Sequence, residues 1–353
     1  MYFALTDDQR DFSRAVREFL RDRFDLEAVR GVVEDPEGDG HPGALWTAMG
    51  EQGWLAVLVP EEHDGLGLGM VDAQAIAREL GAGVAPGPWR GTVLAAEAIR
   101  LAGSRSQQET WLPKLAAGEA VGALALRGSA EDGWQAVEYA QVADVIVAAD
   151  GPGLRILRPD EIATRPQGSY DATTRLFSVK LADGAGEPLP GGSDEVLDEL
   201  AARSAVLVAA DLVGISREAL TRTVDYDRER KQFGVPVGSF QALKHSMADL
   251  HVGVTMAEHA VLYAAHALDS AGAGDGGETS GDGSDVALAV AVAKAKASDM
   301  ALQVTGAMIQ YHGGIGYTWE HEAHFFFKRA KRLSGTAGTA SDQRERIAEL
   351  TMN

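Results

Sequence analysis

Three short stretches of the chain carry the residues whose types and spacing suggest chemistry. In "DRERKQFGVPVG", Arg230 is followed by Gln232 and Phe233. A guanidinium forks onto phosphate oxygens with a directionality that a lone ammonium lacks. Taken alone, the same arginine is one more solvated cation in a charged run. In "QYHGGIGYTWEH", Gln310 precedes Gly313, Gly314 and Gly316. Glycines let a backbone approach a ligand closely, although "HGGIG" by itself reads as a glycine turn that ends a helix. The third stretch, "SGTAGTASDQ", places Ala337 and Thr339 among small residues. The methyl group of Ala337 cannot take a proton.

Other chemistries find less support. His321 and His324 lie in "EHEAH", which is not the H-E-x-x-H spacing of zinc peptidases, and no third ligand is apparent. His245, His251, His259 and His266 follow one helical segment and read as interface or solvent residues. No G-x-S-x-G elbow, P-loop or strand–G-x-G-x-x-G–helix fingerprint is present, so serine hydrolase, nucleotide triphosphatase and Rossmann readings fall away. The absence of cysteine excludes disulfides, thiolate nucleophiles and iron–sulfur ligation. No metal is expected.

The formal net charge of −20 argues against a general nucleic-acid or anionic-membrane partner, because phosphate binding needs a basic surface. "MYFALTDDQR" lacks the basic start and apolar core of a signal peptide. The most apolar segment, "VALAVAVAKAKASDM", is broken by Lys294 and Lys296, so no membrane span is expected and the cytoplasm is the default location.

The elements that must position these stretches fall into three parts. Residues 1–120 read as helices, beginning with Thr6 as a cap and Phe12, Val16, Phe19 and Leu20 on one face. Residues 121–192 hold short runs rich in Val, Ile, Leu and aromatics, separated by Gly, Asp and Pro, which predicts a small antiparallel β domain. Residues 193–353 return to long helices, expected near 195–229, 238–268, 286–311 and 318–331. Within them "DSAGAGDGGETSGDGSD", residues 269–285, reads as a flexible loop. The expected fold is α+β: an N-terminal helical domain, a small central β domain and a C-terminal helical bundle.

Four segments, in this order, carry a family resemblance. "GWLAVLVPEEHDGLGLG" resembles the N-terminal GW…PEE segment of acyl-CoA dehydrogenases. "DRERKQFGVPVGSFQALKHSMADL" resembles their R-x-x-F-G-x-P…F-Q…A-D segment, and "QYHGGIGYTWEH" their Q-x-x-G-G-x-G-Y/F-T-x-E segment. "KRAKRLSGTAGT" falls where the family has R-D-A…Y-E-G-T. The resemblance spans nearly the whole chain. It implies an acyl-CoA dehydrogenase-like fold with FAD at a subunit interface, and α,β-dehydrogenation of an acyl-CoA thioester. Carried to this sequence, it makes Arg230, Gln232, Phe233, Gln310, Gly313, Gly314 and Thr339 the cofactor-binding residues.

The resemblance breaks at the proton acceptor. Counted without gaps, the family's Y-E-G-T falls on Thr336-Ala337-Gly338-Thr339. Some branches place the carboxylate instead on the first helix of the C-terminal bundle, which here falls at or beside Ser204; Glu199 and Asp211 are the nearest acids. The family's T-E-x-x-x-G-S-D strand-loop survives only as Gly128-Ser129. The resemblance is therefore to the subunit that lacks the catalytic Glu in α2β2 members, paired with a homologous chain that supplies it; family analogy offers a sterol-derived acyl-CoA as substrate, and straight-chain and aromatic acyl groups stay open. The alternatives are a self-sufficient homomeric dehydrogenase using Asp211 or Glu199, and a non-catalytic scaffold of the same fold.

Overall fold

The computed structural model describes residues 5–182, 186–272 and 283–352. Six helices come first: α1 (Asp7–Arg23), α2 (Leu26–Glu34), α3 (Gly43–Glu51), α4 (Met70–Ala82), α5 (Trp89–Ala102) and α6 (Arg105–Ala117). Eight strands follow: β1 (Gly122–Ala125), β2 (Gly128–Ser129), β3 (Gly133–Glu138), β4 (Val145–Asp150), β5 (Gly153–Leu157), β6 (Ile162–Gln167), β7 (Leu176–Leu181) and β8 (Glu187–Leu189). The chain then returns to helix in α7 (Asp194–Glu229). After the hairpin β9 (Lys231–Gln232) and β10 (Val235–Pro236) come α8 (Gln241–Gly272), α9 (Gly283–His312), α10 (Ala323–Gly335) and α11 (Ala340–Met352). The order is helical, then β, then helical, as the sequence predicts.

Local chemistry explains the boundaries. Thr6 caps α1 through a reciprocal box with Gln9, at 3.2 and 3.1 Å, which satisfies two otherwise orphaned backbone donors. Ser104 and Gln107 do the same for α6. The loop expected at 269–285 is shorter than read: α8 continues through Gly272 and α9 starts at Gly283, because Ala and Ser near the ends extend a helix already anchored by packing. Residues 273–282 of that loop lie outside the described residues. The segment expected as helix from 318 begins at Ala323, because Gly313–Tyr317 forms a short 3-10 helix first.

The chain divides into two compact units. One comprises Met1–Leu26, Gln74–Ala85 and Ala205–Asn353; the other comprises Glu27–Ala73 and Pro86–Ser204. Within the second unit two four-stranded sheets run β1-β4-β5-β8 and β2-β3-β7-β6. The second sheet is antiparallel as predicted, but β1 pairs with β4 in parallel, with Gly122 opposite Val145. The chain leaves β1 to build part of the other sheet before returning, so a hairpin cannot join this pair. In β4, Val145 and Val147 face one core with Ile99, Leu112 and Leu115, while Ile146 and Ala148 face another with Trp134 and Val179. Burial on both faces is why "VIVAA" is continuously apolar rather than alternating.

Within the first unit, α4 meets α7 through glycine. A Cβ at Gly81 would stand 2.2 Å from the Asp211 carbonyl oxygen, and one at Gly214 would stand 1.9 Å from that of Arg78. Any side chain at either position would force the helices apart. Beside this contact, buried Glu79 accepts from Ser13 and from two nitrogens of Arg17, each at 2.8 Å. Arg78 bridges onward to Glu258 on α8 at 2.8 Å.

Candidate cofactor-binding lip and the turn at Ala337

The last turn of α7 sets up the first half of the site. The backbone N–H of Arg230 donates to the Tyr226 carbonyl at 2.8 Å, closing the helix. Gln232 then pairs with Val235 and Lys231 with Pro236, so Phe233 and Gly234 form the two-residue turn. Their φ angles of 53° and 81° are both positive, as a hairpin turn of right-handed twist requires. Such a conformation costs a bulky side chain of the order of 1–3 kcal/mol. Phe233 adopts it while 92% exposed, touching Phe240 edge-on at 6.3 Å. A strained, solvent-facing aromatic is costly in isolation and points to a ligand or partner surface. Arg230 and Gln232 are also exposed. The described residues offer the Arg230 side chain no hydrogen bond or ion pair.

The end of α9 supplies the second half. The helix stops at His312, and Gly313 takes φ 65° to start the 3-10 segment. No atom lies within 4 Å of where a Cβ would stand at Gly313, Gly314 or Gly234, so their backbones are open to approach. Gly316 differs, because a Cβ there would meet the Ile309 carbonyl at 2.5 Å; its role is packing. Gln310 is exposed.

The two halves are joined at their roots. The Tyr226 ring stacks on His312 at 4.3 Å, and its hydroxyl donates to the His312 carbonyl at 3.4 Å. Tyr226 lies one helical turn before Arg230, and His312 directly precedes Gly313. The structure thus brings the Arg230–Phe233 stretch and the Gln310–Gly314 stretch to one lip. Beneath it Asp227 is 3% exposed, and neither carboxylate oxygen has a partner among the described residues. Burial holds the Asp227 carboxyl above its ordinary range, against the pull of His312. Burial also lowers the His312 imidazole, whose bond to the Met308 carbonyl acts the other way.

Thr339 sits elsewhere. Its hydroxyl accepts from the Asp342 backbone at 3.3 Å and its N–H donates to the Asp342 carboxylate at 2.8 Å, which caps α11. The same loop is tied to α9 at Lys294, sixteen residues before Gln310 and so about 24 Å away along the helix. Six of the seven expected cofactor residues share the lip, and Thr339 lies near the far end of α9.

The loop around Ala337 is built with care. Lys294, wholly buried, donates to the Gly338 carbonyl at 2.8 Å, the Ser334 carbonyl at 3.3 Å and the Ser298 hydroxyl at 3.0 Å. Gln343 donates to the Ala337 carbonyl at 2.9 Å. Ala337 itself holds a left-handed φ of 56°. The turn is held by hydrogen bonds at residues 337 and 338, and the side chain at 337 ends at a methyl group.

The substitute acids are otherwise engaged. Asp211, 4% exposed, accepts from Arg329 at 2.7 and 3.2 Å, and Arg329 also donates to the Ala85 carbonyl at 2.9 Å. Both oxygens of this carboxylate are taken up by the buried guanidinium. Glu199 accepts from Arg203, one turn along α7, at 2.6 and 3.0 Å. Ser204 is half-buried on the same helix. In the β region Gly128 has φ 140°, and a Cβ there would stand 2.2 Å from the Gly133 carbonyl. The Ser129 hydroxyl is spent on Asp132, at 3.1 and 3.2 Å.

Sequence reasoning missed Lys294, Tyr226 and Asp227. Lys294 was visible only as a charge interrupting an apolar run, which is the pattern a buried, hydrogen-bonded lysine leaves. Nothing local marks Asp227, whose isolation depends on the tertiary packing around it. No helix of the described residues is long and apolar enough to cross a membrane. No group of three metal-ligating side chains occurs among them.

Known proteins match this chain along most of its length. The acyl-CoA dehydrogenase N-terminal domain matches residues 6–119 and the acyl-CoA dehydrogenase C-terminal domain matches residues 190–352. The acyl-CoA dehydrogenase IpdE2 of Mycolicibacterium smegmatis is 35% identical over 324 residues, covering 91% of each chain. A variant of the Tcur3481-Tcur3483 steroid ACAD superposes with a TM-score of 0.83 at 25% identity, over 98% of both chains. The ChsE4-ChsE5 complex of Mycobacterium tuberculosis gives a TM-score of 0.85 at 24% identity, over 99% of this chain and 98% of that one. With both terminal domains matched and a relative of this identity along nearly its full length, the chain belongs to the acyl-CoA dehydrogenase family, whose cofactor is FAD.

Proposed function

We propose that this chain is the base-lacking subunit of a flavin-dependent acyl-CoA dehydrogenase, working with a homologous partner that supplies the carboxylate. One observation carries the reading. Ala337 occupies a hydrogen-bonded turn at the position that the sequence resemblance assigns to the base, while Asp211 and Glu199 are committed to arginines.

The residues of the lip fit FAD. An exposed guanidinium at Arg230 and open glycine backbones at Gly234, Gly313 and Gly314 suit a diphosphate-bearing dinucleotide. The β-region loop at Gly128-Ser129 fits it poorly, because its hydroxyl is consumed within its own turn. The preserved surface therefore favours FAD shared at an interface over FAD held by this chain alone.

When bound, FAD supplies the acceptor for the hydride that leaves the β carbon of the thioester. This chain's part is to hold and orient. Arg230 would neutralise the pyrophosphate, Gln232 and Gln310 would donate or accept hydrogen bonds, and Phe233 would shield the cofactor from water. The α proton would pass to the partner's carboxylate, since no group at Ala337 can receive it. The named pair Tcur3481-Tcur3483 supports a two-protein assembly, for which α2β2 is the stoichiometry we propose, and its description as a steroid ACAD supports a sterol-derived acyl-CoA.

Co-expression tests this directly. The chain produced by itself is expected to be flavin-poor and inactive. With its homologous partner it should yield a yellow, active complex holding fewer than one FAD per polypeptide. A flavin-replete, active homo-oligomer of this chain would refute the proposal.

A further inference from the structure

Between α7 and α8, inside one compact unit, lies a groove of about 330 Å³, at the small end of the roughly 300–1,000 Å³ usual for ligand pockets. It is polarised along its length. Arg217 and Glu258 meet at one end, and Asp225 lies eight residues further along α7, about 12 Å away. Between the ends Leu220, Val224, Met247 and Val254 supply an apolar wall, with Leu220 7% and Val254 4% exposed. Thr221 and Thr255 also line the groove. Their hydroxyls donate to the Arg217 and His251 carbonyls of their own helices, each at 2.9 Å, so neither donates to a ligand.

Arg217 is the group whose bonding capacity is left over. A guanidinium carries five N–H donors. Among the described residues that of Arg217 donates no hydrogen bond, and its ion pair, to Glu258, is 3.5 Å long. Glu258 is already held by Arg78 at 2.8 Å, and Glu79 by Arg17 at 2.8 Å and Arg78 at 3.1 Å. Three guanidiniums thus share two carboxylates, while Glu218, next to Arg217 on α7, is taken by Arg222 at 2.7 Å. Burial, and then the like charges of Arg17 and Arg78, lower the Arg217 pKa from its ordinary value, with Glu258 and Glu79 pulling the other way. Arginine remains charged at neutral pH all the same. Its side chain is 40% exposed, so an anion from solvent can reach it.

The shape of that anion follows from the groove. A planar carboxylate matches the guanidinium fork, with two N–H donors to two oxygens. From Arg217 the apolar wall runs seven residues to Val224, about 10 Å, which suits an alkyl chain of medium length. A second anionic group at the far end of the ligand would meet Asp225. A thioester or an alcohol offers Arg217 no charge.

We propose that this groove binds a medium-chain monocarboxylate, with the carboxylate forked on Arg217 and the alkyl chain against Leu220, Val224, Met247 and Val254. Its residues are distinct from those of the cofactor lip and from Ala337, and the site does not depend on the base-lacking reading.

Calorimetric titration of the full chain with octanoate at pH 7 tests it. Acetate and octanol serve as probes that lack the chain and the charge respectively. Octanoate is expected to occupy one saturable site, at least about tenfold more tightly than either probe. Arg217→Gln removes the cation, and Thr221→Trp fills the groove from an exposed position without altering a charge. Each should raise the octanoate Kd by at least about tenfold, with circular dichroism confirming that the variant is folded. Octanoate affinity that stays within about twofold of wild type in either variant would place the ligand elsewhere, as in the thioester site, and overturn the proposal. So would octanol that binds as tightly as octanoate, or the absence of saturable octanoate binding up to millimolar concentration. Because none of these readouts involves flavin, a partner chain or turnover, their failure leaves the proposed base-lacking role untouched, and the converse also holds.

Discussion

Replacing Asp211 by asparagine separates a structural acid from a catalytic one. Both carboxylate oxygens accept from Arg329, at 2.7 and 3.2 Å, with the two residues 4% and 6% exposed. The amide keeps one acceptor but turns a second donor toward the guanidinium, leaving a buried cation without its counter-charge. Breaking one partner of such a pair costs about 3–5 kcal/mol. At about 2–4 °C per kcal/mol for units of this size, Tm should fall by roughly 10 °C. Thermal unfolding followed by circular dichroism reads the loss, and turnover of the assembled enzyme is measured on the same preparation. Replacing both residues, as Asp211→Leu/Arg329→Met, should recover much of the stability, since the uncompensated charge is gone. The reasoning is refuted if Asp211→Asn melts like the wild type yet loses turnover by several orders of magnitude. That outcome would make Asp211 the proton acceptor.

Four further outcomes follow from the same geometry. Glu79 loses solvation through burial, but its bonds to Arg17 and Ser13 and the charge of Arg78 outweigh this and hold its carboxyl below the ordinary value of 4.5. A depressed carboxyl stabilises the fold above its unfolded pKa and loses that contribution as pH falls through the folded one. Acid titration of stability should therefore steepen below about pH 4.5, and Glu79→Gln should flatten that limb. Asp227 has the opposite sign: burial raises its carboxyl, which costs stability once ionised, so Asp227→Asn should raise Tm at pH 7–8 and lose the advantage in acid. Lys294→Met removes the donor shared by the Ser334 and Gly338 carbonyls and should destabilise the chain by about 2–4 kcal/mol, read as a drop in Tm. Arg230→Ala should leave the chain's own Tm unchanged while the assembled complex loses flavin affinity by roughly 10–100-fold, measured by fluorescence of released FAD.

The sequence carried the helical–β–helical order because its periodicities are strong and local. Helix α7 was legible to within a residue from its long helical pattern. Helix α11 went unread: its signal is the Thr339–Asp342 cap, hidden inside a motif being searched for a carboxylate. The parallel pairing of β1 with β4 was also illegible, because register between strands separated by another sheet is set by tertiary packing. At the site, the exposed lip residues could be read because their motif is compact. The commitments of Asp211 and Lys294 could not. Arg329 lies 118 positions from Asp211, and Gly338 lies 44 from Lys294. Only folding reveals that one acid is occupied and that the turn carrying Ala337 is clamped in place.

The most direct measurement is the turnover of this polypeptide by itself, purified without any partner, loaded with excess FAD and given acyl-CoA thioesters and an artificial electron acceptor. The account predicts no reduction of the acceptor above the no-enzyme rate, with activity appearing only when the homologous chain is added. Sustained reduction by the isolated polypeptide would contradict it.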